Sequence, residues 1–255
     1  MCQYYKTLLF ASLPNFFYLM SPPVFRASHK GDAEKLRQLI EKGADVNARL
    51  RDGLTPLMVA TLKNNTAALE LLIEHGADIN ARDNNGNTAL TFALDRSLLR
   101  AMMTRMKYKF LSMSSDQVVF MRYSFLTPTF NNTIAKVLIS NGADVNHVYA
   151  RDMTPLLCAV FSGNDEMVEL LLATGSNVNK KDSDGYCPLM IAAMKGYSNI
   201  VKLLIEHGAD VNNTNNYGIA VLTMASGKND PSIMQLLRDK GATGVISSCG
   251  LRNKK

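Results

Sequence analysis

The chain has 255 residues, 47% of them hydrophobic and 20% charged, with 16 glycines, 8 prolines and no tryptophan. That apolar share excludes a disordered chain, and the ordinary glycine and proline content excludes collagen-like and low-complexity architectures. The formal net charge of +6 argues for an acidic partner only where the positive charges cluster, which a bulk figure does not reveal.

In chain order, residues 1–20 come first. They carry Lys6 and an apolar run, residues 7–20, interrupted by Pro14 and Asn15. The run is shorter than the roughly 20 apolar residues a membrane-spanning helix needs. It is a poor signal peptide, since no small-x-small cleavage site follows it closely. The segment reads as an extension that caps the first element of the fold. A cytoplasmic location is expected, with secretion as the alternative. The cysteines are Cys2, Cys158, Cys187 and Cys249, with no CxxC spacing, so reduced and mostly buried thiols are expected.

From residue 21 onward the chain repeats. GADVN or GADIN stands at Gly43, Gly76, Gly142 and Gly208, with a relative, GSNVN, at Gly175 and a truncated GAT at Gly241. The starting glycines are separated by 33, 66, 33, 33 and 33 residues. A second marker holds the same phase: Thr55-Pro56-Leu57, Thr88-Ala89-Leu90, Thr154-Pro155-Leu156, Cys187-Pro188-Leu189 and Ala220-Val221-Leu222. A fixed period in this range signals a stacked solenoid.

Each unit has a physical reading, clearest from Asp184 to Asn212. Asp184-Gly185 supplies a tight turn. Thr, where it precedes the proline, is an N-cap, and Pro188 suits the first helical turn. A short helix over 189–195 ends at Gly196. A second helix over 199–207 presents a broad apolar stripe for burial, and Gly208 caps it. Asp210 and Asn212 read as side chains that bond local backbone in the loop. The first unit is worn: Ser21-Pro22-Pro23 falls at the helix start, followed by Gly31, Asp32 and Leu36 to Gly43. In the last unit the helix over 233–240 carries Gln235, Arg238, Asp239 and Lys240, a mixture suited to a terminal cap.

A 33-residue unit of turn plus two helices, opened by Thr-Pro-Leu and closed by Gly-Ala-Asp-Val-Asn, resembles the ankyrin repeat. The likeness spans residues 21–243. It implies an all-α repeat solenoid of helix-turn-helix units joined by β-turn or hairpin loops, with six recognisable units and one irregular or inserted slot. Residues 244–255 form a basic tail. The family usually places His after Thr-Pro-Leu; here that position holds Met58, Thr91, Leu157, Met190 and Thr223.

The irregular block is residues 96–130, inside the 66-residue gap. It reads either as an insertion between the two helices of one unit or as two decayed units, and the doubling of the period favours two slots by descent. Leu98–Met103 reads as a candidate displaced helix. The block holds Arg96, Arg100, Arg105, Lys107, Lys109 and Arg122 against Asp116, a net +5, and the tail from 241 adds a net +3. The remaining scaffold is slightly acidic. The block is also methionine-rich, which suits adaptable contacts.

No catalytic constellation is legible: there is no P-loop, HExxH or GxSxG. His75 and His207 recur at the repeat period before capping glycines, which fits a structural role at helix ends. Cys158 and Cys187 fall on first helices of adjacent units. No enzyme activity, cofactor or metal is expected, and a monomer is expected. The resemblance implies recognition of a protein partner through the concave face and turn tips. By register those positions are Arg51, Asp52, Leu54, Asn85, Asn87, Arg151, Met153, Phe161, Asp184, Tyr186, Met194, Lys195, Asn216, Tyr217 and Ile219. Tyr186, Tyr217, Phe161 and Leu54 would form an apolar centre. The alternative is an acidic surface, nucleic acid or anionic membrane, bound through residues 96–130 and the tail.

Overall fold

A computed structural model describes residues 21–94, 132–227 and 230–243. The chain divides into two compact units, Met1–Asp144 and Val145–Lys255.

In the first unit the described helices are α1 (Pro23–Lys30), α2 (Ala33–Glu41), α3 (Pro56–Leu62), α4 (Thr66–Glu74), α5 (Ala89–Leu94) and α6 (Asn132–Ser140). In the second they are α7 (Pro155–Ser162), α8 (Asp165–Ala173), α9 (Pro188–Lys195), α10 (Ser198–Glu206), α11 (Val221–Ser226) and α12 (Pro231–Asp239). All are short, and none is long and apolar enough to cross a membrane. The helices pair as hairpins, and the pairs stack: α1, α3 and α5 pack in one row and α2 and α4 in another, while α7, α9 and α11 face α8, α10 and α12 in the same way.

The boundaries follow from local chemistry. Proline occupies the first helical position of α1, α3, α7, α9 and α12, where its missing N–H costs nothing. Thr55 and Thr154 cap α3 and α7, each hydroxyl accepting a backbone N–H three residues on at 3.3 Å. The place of the family histidine is filled otherwise. Thr91 Oγ1 accepts from the Thr88 N–H at 2.8 Å, and Met58 Sδ accepts from the Thr55 N–H. Asp32, Asn164 and Asp230 cap second helices through their side chains. The N-cap of α1 is Pro22, one residue later than the Ser21-Pro22-Pro23 reading places it. The second helices expected over 199–207 and 233–240 start one and two residues earlier, at Ser198 and Pro231.

Packing explains why the first helices are so apolar. Leu189, Met190, Ile191, Ala192 and Ala193 of α9 are all fully buried, because the row on either side and the second helix cover every face. Second helices bury one stripe: Ile200, Val201 and Leu204 of α10, or Met167, Val168 and Leu171 of α8. Cys158 and Cys187 are buried thiols within this core, Cys158 against the Tyr149 hydroxyl, and burial pushes the Cys187 thiol up. His75 and His207 turn Nδ1 back onto the carbonyls of Leu71 and Leu203 at 2.8 Å, where they satisfy the last turn of α4 and α10.

The repeats are stitched by an asparagine ladder. Asn47 donates from Nδ2 to the Gly76 carbonyl at 3.0 Å and accepts the Asp78 N–H on Oδ1 at 2.7 Å. Asn146, Asn179 and Asn212 repeat both bonds to Gly175 and Asn177, Gly208 and Asp210, and Gly241 and Thr243. Asn212 therefore bonds the next repeat rather than its own loop, while Asp210 stays local through the Asn212 N–H. Asn80 makes the same pair of bonds to Gly142 and Asp144, skipping the irregular block. Helix α5 packs directly on α6. Among the described residues α5 and α6 thus pair as the first and second helix of one unit, and residues 95–131 lie between them in the sequence. The candidate helix Leu98–Met103 lies outside the described residues.

Candidate functional site

The turn tips are built by an acidic or amide side chain set six residues before the following helix start. Asp182, 8% exposed, accepts the Asp184 and Tyr186 N–H groups on Oδ1 at 3.0 and 2.8 Å. Asn215 and Asp83 do the same at the equivalent positions of their repeats. Burial holds the Asp182 carboxyl above the ordinary carboxylate range, against the opposing pull of its N–H donors.

In the second unit these turns stack into a continuous edge. The Ser183 N–H donates to the Arg151 carbonyl at 3.0 Å, and the Asn216 N–H to the Asp184 carbonyl at 3.2 Å. The Asn216 amide donates to the Ser183 carbonyl at 3.0 Å. Gly185 sits at φ +83, and a Cβ there would lie 2.6 Å from the Asn216 nitrogen, so the next turn approaches too closely for any side chain. The turn at Arg151 and Asp152 closes without glycine and by a different backbone path, with two successive positive φ values, 63 and 56, inside the Tyr149–Met153 bridge. Positive φ at both central residues matches the twist of a hairpin.

The expected binding positions fall into three columns on this unit, each spaced by one repeat. Arg151, Asp184 and Tyr217 form the outer column. Arg151 and Asp184 make an ion pair at 3.5 Å, and Tyr217 is 67% exposed. Met153, Tyr186 and Ile219 form a half-buried inner column. Phe161 and Met194 form the third, at the ends of α7 and α9, with Lys195 Nζ 5.9 Å from the centre of the Phe161 ring. Asn216 is exposed, but its backbone and amide are engaged with the preceding turn.

In the first unit Asn84 plays the part of Asn216, donating to the carbonyls of Asp52 and Arg51 at 3.0 and 2.9 Å. Arg51 and Asn85 are exposed, and Asp52 and Leu54 are half-buried. Asn87 is 2% exposed and donates its amide to Asp83 at 3.0 Å. It shapes the turn and offers no surface, contrary to the expectation that it meets a partner. Arg96, Arg100, Arg105, Lys107, Lys109 and Arg122 lie outside the described residues.

Sequence reasoning missed the asparagine ladder and a second one beside it. Arg49 donates to the carbonyl of Arg82, and Lys181 to that of Thr214 at 2.8 Å, each 33 residues on. The signal for the first was present, since Asn ends each full copy of the Gly-Ala-Asp marker. Among the described residues no cluster of three or more His, Cys, Asp or Glu is arranged to hold a metal ion.

A family model described as ankyrin repeats in three copies matches residues 24–103, 128–215 and 177–248. Among solved structures, an ankyrin repeat domain from Acinetobacter baumannii AYE is 28% identical, with a TM-score of 0.69, covering 87% of this chain and 98% of that one. A chain from the complex of the predatory endopeptidase Bd0816 with the immunity protein Bd3460 of Bdellovibrio bacteriovorus is 26% identical. Its TM-score is 0.63, covering 86% of this chain and 98% of that one. No curated protein matches.

Proposed function

This chain belongs to the ankyrin-repeat family, and we propose that it is a non-catalytic scaffold that captures a protein partner on the turn tips and first helices of its second unit. Ankyrin repeats generally mediate protein–protein interaction, and a similar fold occurs within the complex of an endopeptidase and an immunity protein. The observation that carries the reading is Tyr217, a large aromatic side chain 67% exposed on a turn edge that hydrogen bonds otherwise hold in place. Aromatic anchors on a rigid support contribute much of the energy of protein interfaces, because little side-chain entropy is lost when they bind.

Around Tyr217 the columns grade from polar to apolar. The Arg151–Asp184 pair gives a charged rim, and Met153, Tyr186, Ile219, Phe161 and Met194 give a half-buried interior. That arrangement follows the polar rim and apolar core of protein interfaces. The partner meets this face in the cytoplasm, one scaffold chain at a time.

The test is affinity purification with the full chain as bait, followed by measurement of the recovered partner's affinity for Tyr217→Ala and Tyr186→Ala together. A loss of about 2 kcal/mol or more is expected, since each aromatic anchor contributes on that order. Unchanged affinity would remove this face as the docking surface. An activity abolished by substituting one His or Cys would remove the non-catalytic reading.

A further inference from the structure

Asparagine is followed by glycine twice in this chain, at Asn85-Gly86 and at Asn141-Gly142. Glycine has no Cβ to shield its own backbone nitrogen. That nitrogen can attack the side-chain amide carbon of the asparagine before it, and the rate depends on what holds each pair in place. Asn141 is held at the end of α6. Its Nδ2 donates to the Val137 carbonyl at 2.8 Å, and its backbone N–H donates to the same carbonyl at 3.2 Å. The Gly142 N–H donates to the Ile139 carbonyl at 3.1 Å, and the Gly142 carbonyl accepts from Asn80 at 3.0 Å. Attack at this pair requires the last turn of α6 to unwind.

Asn85 is held differently. It is exposed, its backbone N–H donates to Asp83 Oδ1 at 2.8 Å, and its side chain makes no hydrogen bond among the described residues. The Gly86 N–H closes the turn onto the Asp83 carbonyl at 3.0 Å. The near side of this turn is tied to the preceding one through Asn84, while its far side is open. A Cβ at Gly53 would lie 2.7 Å from the Asn84 nitrogen, and one at Gly185 2.6 Å from the Asn216 nitrogen, because the next turn lies against each of those tips. A Cβ at Gly86 meets nothing within 4 Å. The Asn85-Gly86 peptide therefore opens locally without displacing a neighbouring turn.

From these two environments we infer that Asn85 is a modification site, at which the folded chain deamidates itself. The Gly86 nitrogen gives its proton to water or hydroxide and bonds to Asn85 Cγ. The bond from Cγ to the side-chain nitrogen breaks, that nitrogen leaves as ammonia, and a cyclic succinimide remains. Water then opens the ring. Attack at Cγ gives aspartate, and attack at the main-chain carbonyl carbon gives isoaspartate; nothing is oxidised or reduced. Aspartate fits this place in the turn, since Asp52 and Asp184 occupy it in their own repeats, where Asp52 Oδ1 accepts the Leu54 N–H. Isoaspartate does not fit. It routes the main chain through an extra carbon, and so breaks the spacing at which Asp83 Oδ1 holds the N–H groups of Asn85 and Asn87, both at 2.8 Å. Either product adds a negative charge close to the buried Asp83 carboxylate. The modification thus carries this turn with time toward a more acidic and looser form.

The experiment incubates the full chain at mildly alkaline pH and follows the tryptic peptides that carry Asn85 and Asn141 by mass spectrometry. Isoaspartate is scored by enzymatic carboxyl methylation. Asn85 is expected to convert at least about fivefold faster than Asn141, the factor imposed by one further hydrogen bond that must break first. In urea, where neither environment survives, the two pairs are expected to convert at comparable rates, which assigns the difference to the fold. Conversion of Asn85 is expected to slow at mildly acidic pH, since the attacking nitrogen must lose its proton. Asn85→Gln, whose longer side chain closes the ring far more slowly, is expected to remove the early product and leave Asn141 as in the parent. The proposal is overturned if Asn141 keeps pace with Asn85 in the folded chain, or if Asn85 stays intact while the chain in urea converts. A bias that persists unchanged in urea overturns it as well, because flanking sequence would then set the rates.

Discussion

Asn80 holds Gly142 across 62 residues of chain: its amide donates to the Gly142 carbonyl at 3.0 Å while its Oδ1 accepts the Asp144 N–H at 2.8 Å. Every other rung of this ladder spans 29 residues to the carbonyl it bonds. The difference is one repeat length, so the stack proceeds as though 33 residues were absent. Asn80→Ala removes both bonds and is expected to cost about 1 kcal/mol, the net value of exposed hydrogen bonds. Asn80→Asp keeps the acceptor, loses the donor and sets a carboxylate against a carbonyl, so it is expected to cost at least as much. Urea unfolding of the two variants measures this, and parent-like midpoints for both would show that the ladder follows the stacking instead of supporting it.

The same geometry makes deletion of residues 97–129 tolerable. The cut restores the 33-residue period and leaves four residues, Asp95, Arg96, Phe130 and Asn131, between α5 and α6. Asn131 then takes the register of Asn65, which precedes α4. Shortening the connection this far is expected to stabilise the fold by about 2 kcal/mol through loop-closure entropy. Calorimetry should show one cooperative transition at a raised temperature. A deletion variant that loses cooperative unfolding would mean that the removed block supplies contacts the stack depends on.

Much of this was legible in the sequence, because both repeat markers are local backbone requirements. A proline after a capping Thr and a glycine after a helix act within a few residues, so the helices fall within one or two residues of their expected places. What was not legible is what depends on the neighbouring repeat. Asn212 and Asp210 look alike as polar loop residues, yet one bonds its own turn and the other the next. Asn87 looks like a surface amide until Asp83, four residues before it, is seen to be buried and to take it. Tyr186 and Tyr217 are both aromatic tip residues, and only stacking decides that one is half-buried and the other exposed. Which turn follows Gly76 in space could not be read through a block without markers.

Gly185 and Gly208 separate two demands on glycine. Both have positive φ, at +83 and +85, but a Cβ at Gly208 meets nothing within 4 Å while one at Gly185 lies 2.6 Å from backbone. Gly208→Ala is expected to cost about 1 kcal/mol from the left-handed conformation alone. Gly185→Ala is expected to cost about 3 kcal/mol, because the Asn216 turn must also move. Denaturant midpoints of the two variants give the comparison. Equal losses would show that the adjacent turn yields freely and that the tip edge is less rigid than its hydrogen bonds indicate.

Asp182 gives the fold a pH signature. Burial raises its carboxyl above the ordinary value of 3.8, so the folded state binds its proton more tightly than the unfolded chain. Such a group contributes stability that is complete below the unfolded value and is lost as pH rises through the folded one. The Asp182→Asn variant cannot lose that contribution, and Asn215 shows that an amide accepts the same two N–H groups at the equivalent position of the next repeat. The variant should therefore gain stability relative to the parent as pH climbs from below 3.8 through the raised value, with the difference level at neutral pH. Urea unfolding of both chains across this range measures it. A difference that stays flat with pH would show that the N–H donors cancel the burial of the carboxylate, and a difference that shrinks as pH rises would show that they outweigh it.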